Sequence, residues 1–139
     1  MLNEEVRKIM TVDPITVNSD DNLSTVSEVM KKNKLQQLPV VEGKKLVGMV
    51  TSFDLWRVSE QNDKPQQVKD IMTTKVIKIA PKDKVGTAAE LFMDKRFKTL
   101  PVVNLDGDLK GVITAFDVIR HTLKKEYPKS ILFKEVIEG

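Results

Sequence analysis

The sequence has no cysteine, which excludes a disulfide framework, thiolate chemistry and any Cys-based metal site, and suits a reducing cytoplasm. It has one histidine, His121, and no His, Asp or Glu cluster at metal-ligand spacing. No stretch approaches the roughly 20 apolar residues of a membrane span. The N-terminal MLNEEVRKIM carries acids early and lacks an apolar run before a small-residue cleavage site, which is not the pattern of a signal peptide. The expectation is a cytoplasmic protein.

What is present is 40% hydrophobic residues in 139, enough for one globular domain or two small ones fused tightly. The net charge of +3 and a pI near 9.0 raise the question of nucleic acid. The basic residues, however, are dispersed among 20 acids. The densest runs, Lys31-Lys32-Asn33-Lys34 and Lys124-Lys125, fall where helix ends are predicted, and cations there favour the helix dipole. Nucleic acid is therefore not the expected partner.

The chain is written twice. VRKIMT (6 to 11) returns as VKDIMT (68 to 73), QQLPVVE (36 to 42) as KTLPVVN (98 to 104), and GMVTSFDLWR (48 to 57) as GVITAFDVIR (111 to 120). Such self-similarity marks a tandem structural repeat. In repeat one, Ile15 and Val17 alternate as in a short strand, and Asp20-Asp21 offers N-cap oxygens. Leu23, Val26, Val29 and Met30 then recur at helical spacing. LPVV and LVGMV read as strands around the turn Glu42-Gly43-Lys44, and a second helix runs from Ser52 to about Glu60. Repeat two gives the same β-α-β-β-α order: Val76 to Ile79, Val85 to Lys95, Leu100 to Val103, Leu109 to Thr114, and Ala115 to about Glu126. Asp106-Gly107 is its hairpin turn. The polar stretch EQNDKPQQ (60 to 67) is a linker. The division is residues 1–61, 62–124 and a C-terminal extension, 125–139. Neither repeat is large enough to hide both faces of its sheet, so the fold class is α+β (α/β), two pseudo-symmetric units packed sheet to sheet on one shared core.

With this order and these motifs, the chain resembles the CBS domain family, whose paired repeats form a compact unit called a Bateman module. The resemblance covers residues 6 to about 121. It implies a regulatory module that senses an adenine nucleotide or other adenosyl ligand (AMP, ADP, ATP or S-adenosylmethionine), or, in members without a known ligand, an interaction module.

The turn G-h-h-T-x-x-D has two readings. Thr51 with Asp54, and Thr114 with Asp117, match a capping box, in which Thr takes a backbone N–H at N3 and the acid returns to the N-cap amide. On that reading Phe53 and Phe116 are core and Gly48 and Gly111 are compact strand residues. The same helix start also presents free N–H groups and partial positive charge to a phosphate, while a carboxylate one turn in can hold a ribose and a glycine admits a flat base. The resemblance implies the second use: Asp54 and Asp117 at a ribose, Thr51 and Thr114 at phosphate or ribose, and Ile15, Thr16, Ile77 and Lys78 at adenine. It also implies Gln36 at the phosphates of one cleft and Lys98, with Lys78 nearby, at those of the other. Lys98 reads equally as an exposed strand-edge lysine.

No nucleophile or tuned acid–base pair stands out. Asp54 and Asp117 lie in separate copies, and His121 reads as a surface residue, so an enzyme is not expected. No cofactor is required beyond an adenosyl ligand, and no metal site is predicted. Met10, Met30, Met49, Met72 and Met93 read as adaptable core filling. Trp56, Val58, Ile119 and Leu123 on the second helices predict a homodimer face, the usual pairing surface of such modules. Ile131, Leu132, Val136 and Ile137 add a helix-like pattern near the C-terminus. Any output passes to a downstream protein.

Overall fold

The computed structural model describes residues 2–95 and 98–126. Repeat one holds β1 (Val17–Asn18), α1 (Leu23–Asn33), the hairpin β2 (Gln37–Glu42) and β3 (Lys45–Thr51), and α2 (Ser52–Ser59). Repeat two holds α3 (Val85–Lys95), the hairpin β4 (Thr99–Val103) and β5 (Leu109–Thr114), and α4 (Ala115–Glu126). Each hairpin is antiparallel, with a register shift at the same duplicated place, Val40/Val41 and Val102/Val103. Gly43 and Gly107 close the turns at φ 61° and 88°, a backbone region that costs glycine little.

β1 runs parallel to β2, pairing Val17 with Val40. In repeat two the strand predicted at 76–79 is reduced to one parallel bridge, Ile79 to Val102. The reason is a donor. Ser19 extends the repeat-one ladder by giving its N–H to the Val41 carbonyl at 3.3 Å, and its duplicate is Pro81, which has none.

The predicted helix patterns hold: Val26 and Met30 of α1 are buried, with Leu23 and Val29 packed against them. The cap predicted at Asp20-Asp21 does not. Asp21 accepts a hydrogen bond from its own preceding turn, from the Asn18 N–H at 2.9 Å, and the N-cap is Asn22. The first α1 amide, Leu23 N–H, is satisfied by the Gln66 carbonyl of the linker at 3.0 Å. In repeat two Val85 N–H reaches the Glu4 carbonyl at 2.8 Å.

These two bonds belong to a larger exchange. The leading turn 6–8 puts Val6, Ile9 and Met10 against the core of repeat two, Phe92, Leu100, Val102 and Ile113. Its duplicate at 68–70 puts Val68, Ile71 and Met72 against the core of repeat one, Val26, Leu38, Val40 and Val50. The two repeats therefore have separate hydrophobic cores rather than the single shared one expected, and each core is completed by the segment that precedes the other repeat. A further tie joins the hairpin tips, where Lys45 pairs with Asp108 at 3.1 Å and holds that carboxyl below its usual range. Of the methionines, Met93 is 82% exposed and fills no core. Residues 131 to 137 lie outside the described residues.

Candidate functional site

Both duplicated turns close as capping boxes. Asp54 N–H donates to Thr51 Oγ1 at 3.1 Å and Thr51 N–H to Asp54 Oδ2 at 2.9 Å. The corresponding bonds at Asp117 and Thr114 are 3.0 and 2.8 Å. The remaining carboxylate oxygen meets an arginine one turn on: Arg57 Nη2 lies 3.3 Å from Asp54 Oδ1, and Arg120 Nη2 lies 2.7 Å from Asp117 Oδ1. Both aspartates are buried, at 8% and 4% exposure, so an uncompensated charge would be costly. The sequence shows the arginines as part of the duplicated string without giving them a role; their i+3 spacing from each aspartate was the available signal.

The helix starts offer fewer free amides than predicted. Ser52 N–H is bonded to the Gln36 carbonyl at 2.9 Å and Ala115 N–H to that of Lys98 at 3.2 Å. Nor do the glycines make room for a base. A Cβ on Gly48 would stand 2.8 Å from the Thr73 carbonyl oxygen and from Met72 Sδ, and one on Gly111 would stand 2.5 Å from the Thr11 carbonyl oxygen. Those places are filled by the exchanged leading segments, which pair Thr73 with Met49 and Thr11 with Val112. Phe53 and Phe116, taken as core on the capping reading, are 59% and 65% exposed.

A cleft of about 220 Å³ opens between the repeats. Gln37, Met49 and Thr51 line it from repeat one, and Val76, Ile77 and Pro101 from repeat two. Thr51 is thereby brought together with Ile77, a residue of the other copy. Gln37, Val76 and Pro101 have no predicted site role in the sequence and Met49 reads there as core filling; Gln37 and Val76 adjoin predicted site positions and Met49 alternates with Thr51. Lys78 departs from the cleft and borders another hollow beside Asn104 and Gly107. Ile15 is exposed and Thr16 half-buried. Gln36 and Lys98 do not face separate clefts: Lys98 Nζ donates to Gln36 Oε1 at 3.2 Å. His121 is not a surface residue either, since it is half-buried and its Nε2 is buried.

Among the described residues there is no grouping of three or more His, Cys, Asp or Glu able to hold a metal ion. No helix of the described residues is long and apolar enough to cross a membrane.

Comparison with known proteins follows the same lines. The family model of the CBS domain matches residues 6–55 and 68–124. An inosine-5'-monophosphate dehydrogenase of Aquifex aeolicus is 33% identical over 135 residues, covering 91% of this chain and 27% of that protein. One from Methanocaldococcus jannaschii is 32% identical over 124 residues, covering 88% and 24%. The chain thus spans about a quarter of these curated relatives. Among solved structures, CBSX2 in complex with AMP superposes with a TM-score of 0.82 at 26% identity, covering 88% of this chain and 98% of that one. The CBS domain pair of protein MJ0100, solved with 5'-methylthioadenosine and S-adenosyl-L-methionine, gives 0.76 at 28% identity over 88% and 98%. Two matched copies, in the order and positions of the duplicated fold, place this chain in the CBS domain family.

Proposed function

We propose that the chain is a regulatory ligand-sensing module that binds an adenine nucleotide or another adenosyl compound between its repeats. The observation that carries this is the inter-repeat cleft, whose lining mixes apolar Met49, Val76, Ile77 and Pro101 with polar Gln37, Thr51 and Thr73 and the cationic Lys75. Such a lining suits an apolar base against the aliphatic side chains and a ribose or phosphate against the hydroxyl, amide and ammonium groups. Its volume of about 220 Å³ is below the roughly 300–1,000 Å³ of an enclosing small-molecule site, so the cleft suits part of a nucleotide, with the phosphates toward solvent. The adenosyl compounds seen with CBSX2 and MJ0100 support the class of ligand.

Thr51, Asp54, Thr114 and Asp117 are the proposed ribose and phosphate contacts, Ile15, Thr16, Ile77 and Lys78 the proposed adenine positions, and Gln36 with Lys98 the phosphate-facing pair. Lys78 fits this role least, because it borders a different hollow. Binding through Asp54 or Asp117 requires its arginine to yield an oxygen. The chain itself carries no catalysis in this reading. It works as a homodimer through the exposed Phe53, Trp56, Phe116, Ile119 and Leu123 of α2 and α4, an apolar face that a second copy covers. Val58, expected on that face, is buried at 4% exposure and takes no part. A cytoplasmic location and an output through a separate protein complete the proposal, with residues 1–61 and 62–124 as the two sensing units and 125–139 as an extension.

One observation favours a second reading, a ligand-free interaction module: every oxygen of the Asp54 and Asp117 carboxylates already has a partner within the chain. A thermal-shift series with AMP, ADP, ATP and S-adenosylmethionine separates the two. Sensing predicts a raised melting temperature with at least one, since ligand at 100 times its dissociation constant adds roughly 2.7 kcal/mol. No shift with any of them at millimolar concentration supports the ligand-free module.

A further inference from the structure

A second hollow, of about 320 Å³, lies away from the inter-repeat cleft, between the leading turn and α4. Lys8, Ile9, Asp117, Arg120, His121 and Lys124 line it. The charges are uneven. Asp117 is engaged by Arg120 at 2.7 Å; of the other acids near these cations among the described residues, Glu4 lies 4.0 Å from Lys8 and also pairs with Lys125 at 3.5 Å, and Glu5, bonded to Arg7, also feels the Lys8 charge. Arg120 has donors left over after one bond to Asp117, and the Lys8 and Lys124 side chains are exposed.

The duplicate of this hollow is a control built into the chain. Where this hollow has Lys8, His121 and Lys124, the equivalent positions are Asp70, Val58 and Gln61, while Ile71, Asp54 and Arg57 match. Both sides keep the arginine, whereas the two lysines and the histidine occur on one side only. The His121 replacement is the informative one: Val58 is buried and apolar, whereas His121 places a ring nitrogen, Nε2, in a buried position with no hydrogen-bond partner among the described residues. A buried polar atom left unpaired costs on folding what a bound partner would recover.

We propose that this hollow, between the leading turn and α4, is an oxyanion site that its duplicate does not share. It takes a phosphate-class dianion between the Lys8 and Lys124 ammonium groups and the Arg120 guanidinium, with a ring N–H of His121 as a further hydrogen-bond donor. The dianion is either free phosphate or the phosphate end of a nucleotide; the chemistry is the same.

His121 is the only histidine, so its ring signals in a nitrogen-15 NMR spectrum need no assignment. The full-length chain is titrated with inorganic phosphate at fixed pH and ionic strength. The ring signals are expected to shift saturably, and Lys8→Gln with Lys124→Gln to weaken the affinity about tenfold, two partly exposed charge pairs being lost. Both lysines are exposed, so the double variant keeps its native amide spectrum; Lys31→Gln, on α1, leaves the affinity unchanged. Competition identifies the source: AMP displaces phosphate from the ring signals where adenosine does not if the site serves a nucleotide, and leaves them in place if free phosphate is the occupant. Ring signals unmoved by millimolar phosphate, or an affinity unchanged in the double variant, overturn the proposal. Either failure leaves adenosyl binding in the inter-repeat cleft intact and separately measurable.

Discussion

Lys98 and Gln36 occupy duplicated positions, and their side chains meet: Nζ of the first lies 3.2 Å from Oε1 of the second. The pseudo-twofold therefore carries one positive charge shared between the repeats, not a charged cleft and a neutral one. An anion drawn to this point competes with Gln36 for the ammonium group.

Lys98→Gln is predicted to lower affinity for ADP and ATP several-fold while leaving adenosine unchanged, because a partly exposed cation–phosphate pair is worth about 1 kcal/mol and fades with salt. Calorimetry at two ionic strengths measures it. Equal losses for adenosine and ATP would assign Lys98 to structure alone.

Asp54→Ala and Asp117→Ala each remove a capping box, and urea unfolding is expected to show a loss of about 0.5–2 kcal/mol in either variant without ligand. Asp117 has the shorter arginine contact, 2.7 Å against 3.3 Å, so its loss is predicted to be the larger. Sensing adds a further result: the ligand-induced rise in melting temperature shrinks in at least one variant. An undiminished rise in both would leave the aspartates as caps only.

Gly48 and Gly111 are held by backbone crowding. Gly111→Ala brings a Cβ to 2.5 Å from the Thr11 carbonyl, and Gly48→Ala to 2.8 Å from that of Thr73. Each is predicted to destabilise by about 1–3 kcal/mol, Gly111→Ala more, because neither carbonyl can retreat without breaking its bridge to β3 or β5. Denaturant midpoints no lower than wild type would contradict the exchange of leading segments.

The exposed rings of Phe53 and Trp56, 5.5 Å apart, together with Ile119, form the proposed dimer face. Trp56→Glu with Ile119→Glu is predicted to give a folded monomer in sedimentation at concentrations where the wild type is dimeric. A wild-type monomer at tens of micromolar, or an unaffected dimer in the variant, would remove this face from the account.

Most of the helices and hairpins were legible, because Leu23, Val26, Val29 and Met30, and the LPVV runs, carry their burial in their spacing. The exchange was not. Nothing in VRKIMT says that Val6 buries against Phe92 and Ile113 of the other repeat, since apolar spacing records that a residue is buried and not against what. The lost strand at 76–79 hinged on Pro81, one missing donor beyond the segment itself. Capping was legible in full at Thr51 and Thr114, whose partners lie three residues away. The cleft was legible only in part: Thr51 and Ile77 lie in different copies, and their meeting depends on how the repeats pack.

The central claim is that an adenosyl compound sits between Thr51 and Ile77. Ile77 is 41% exposed, so Ile77→Glu alters the cleft wall without opening a core. Calorimetric titration of wild type and Ile77→Glu with AMP and with S-adenosylmethionine tests the claim directly. The account predicts measurable binding of at least one compound to wild type and an affinity at least about tenfold weaker in the variant, as a carboxylate that the bound base would cover loses its hydration. Binding of equal strength to both proteins, or no binding to wild type, would contradict it.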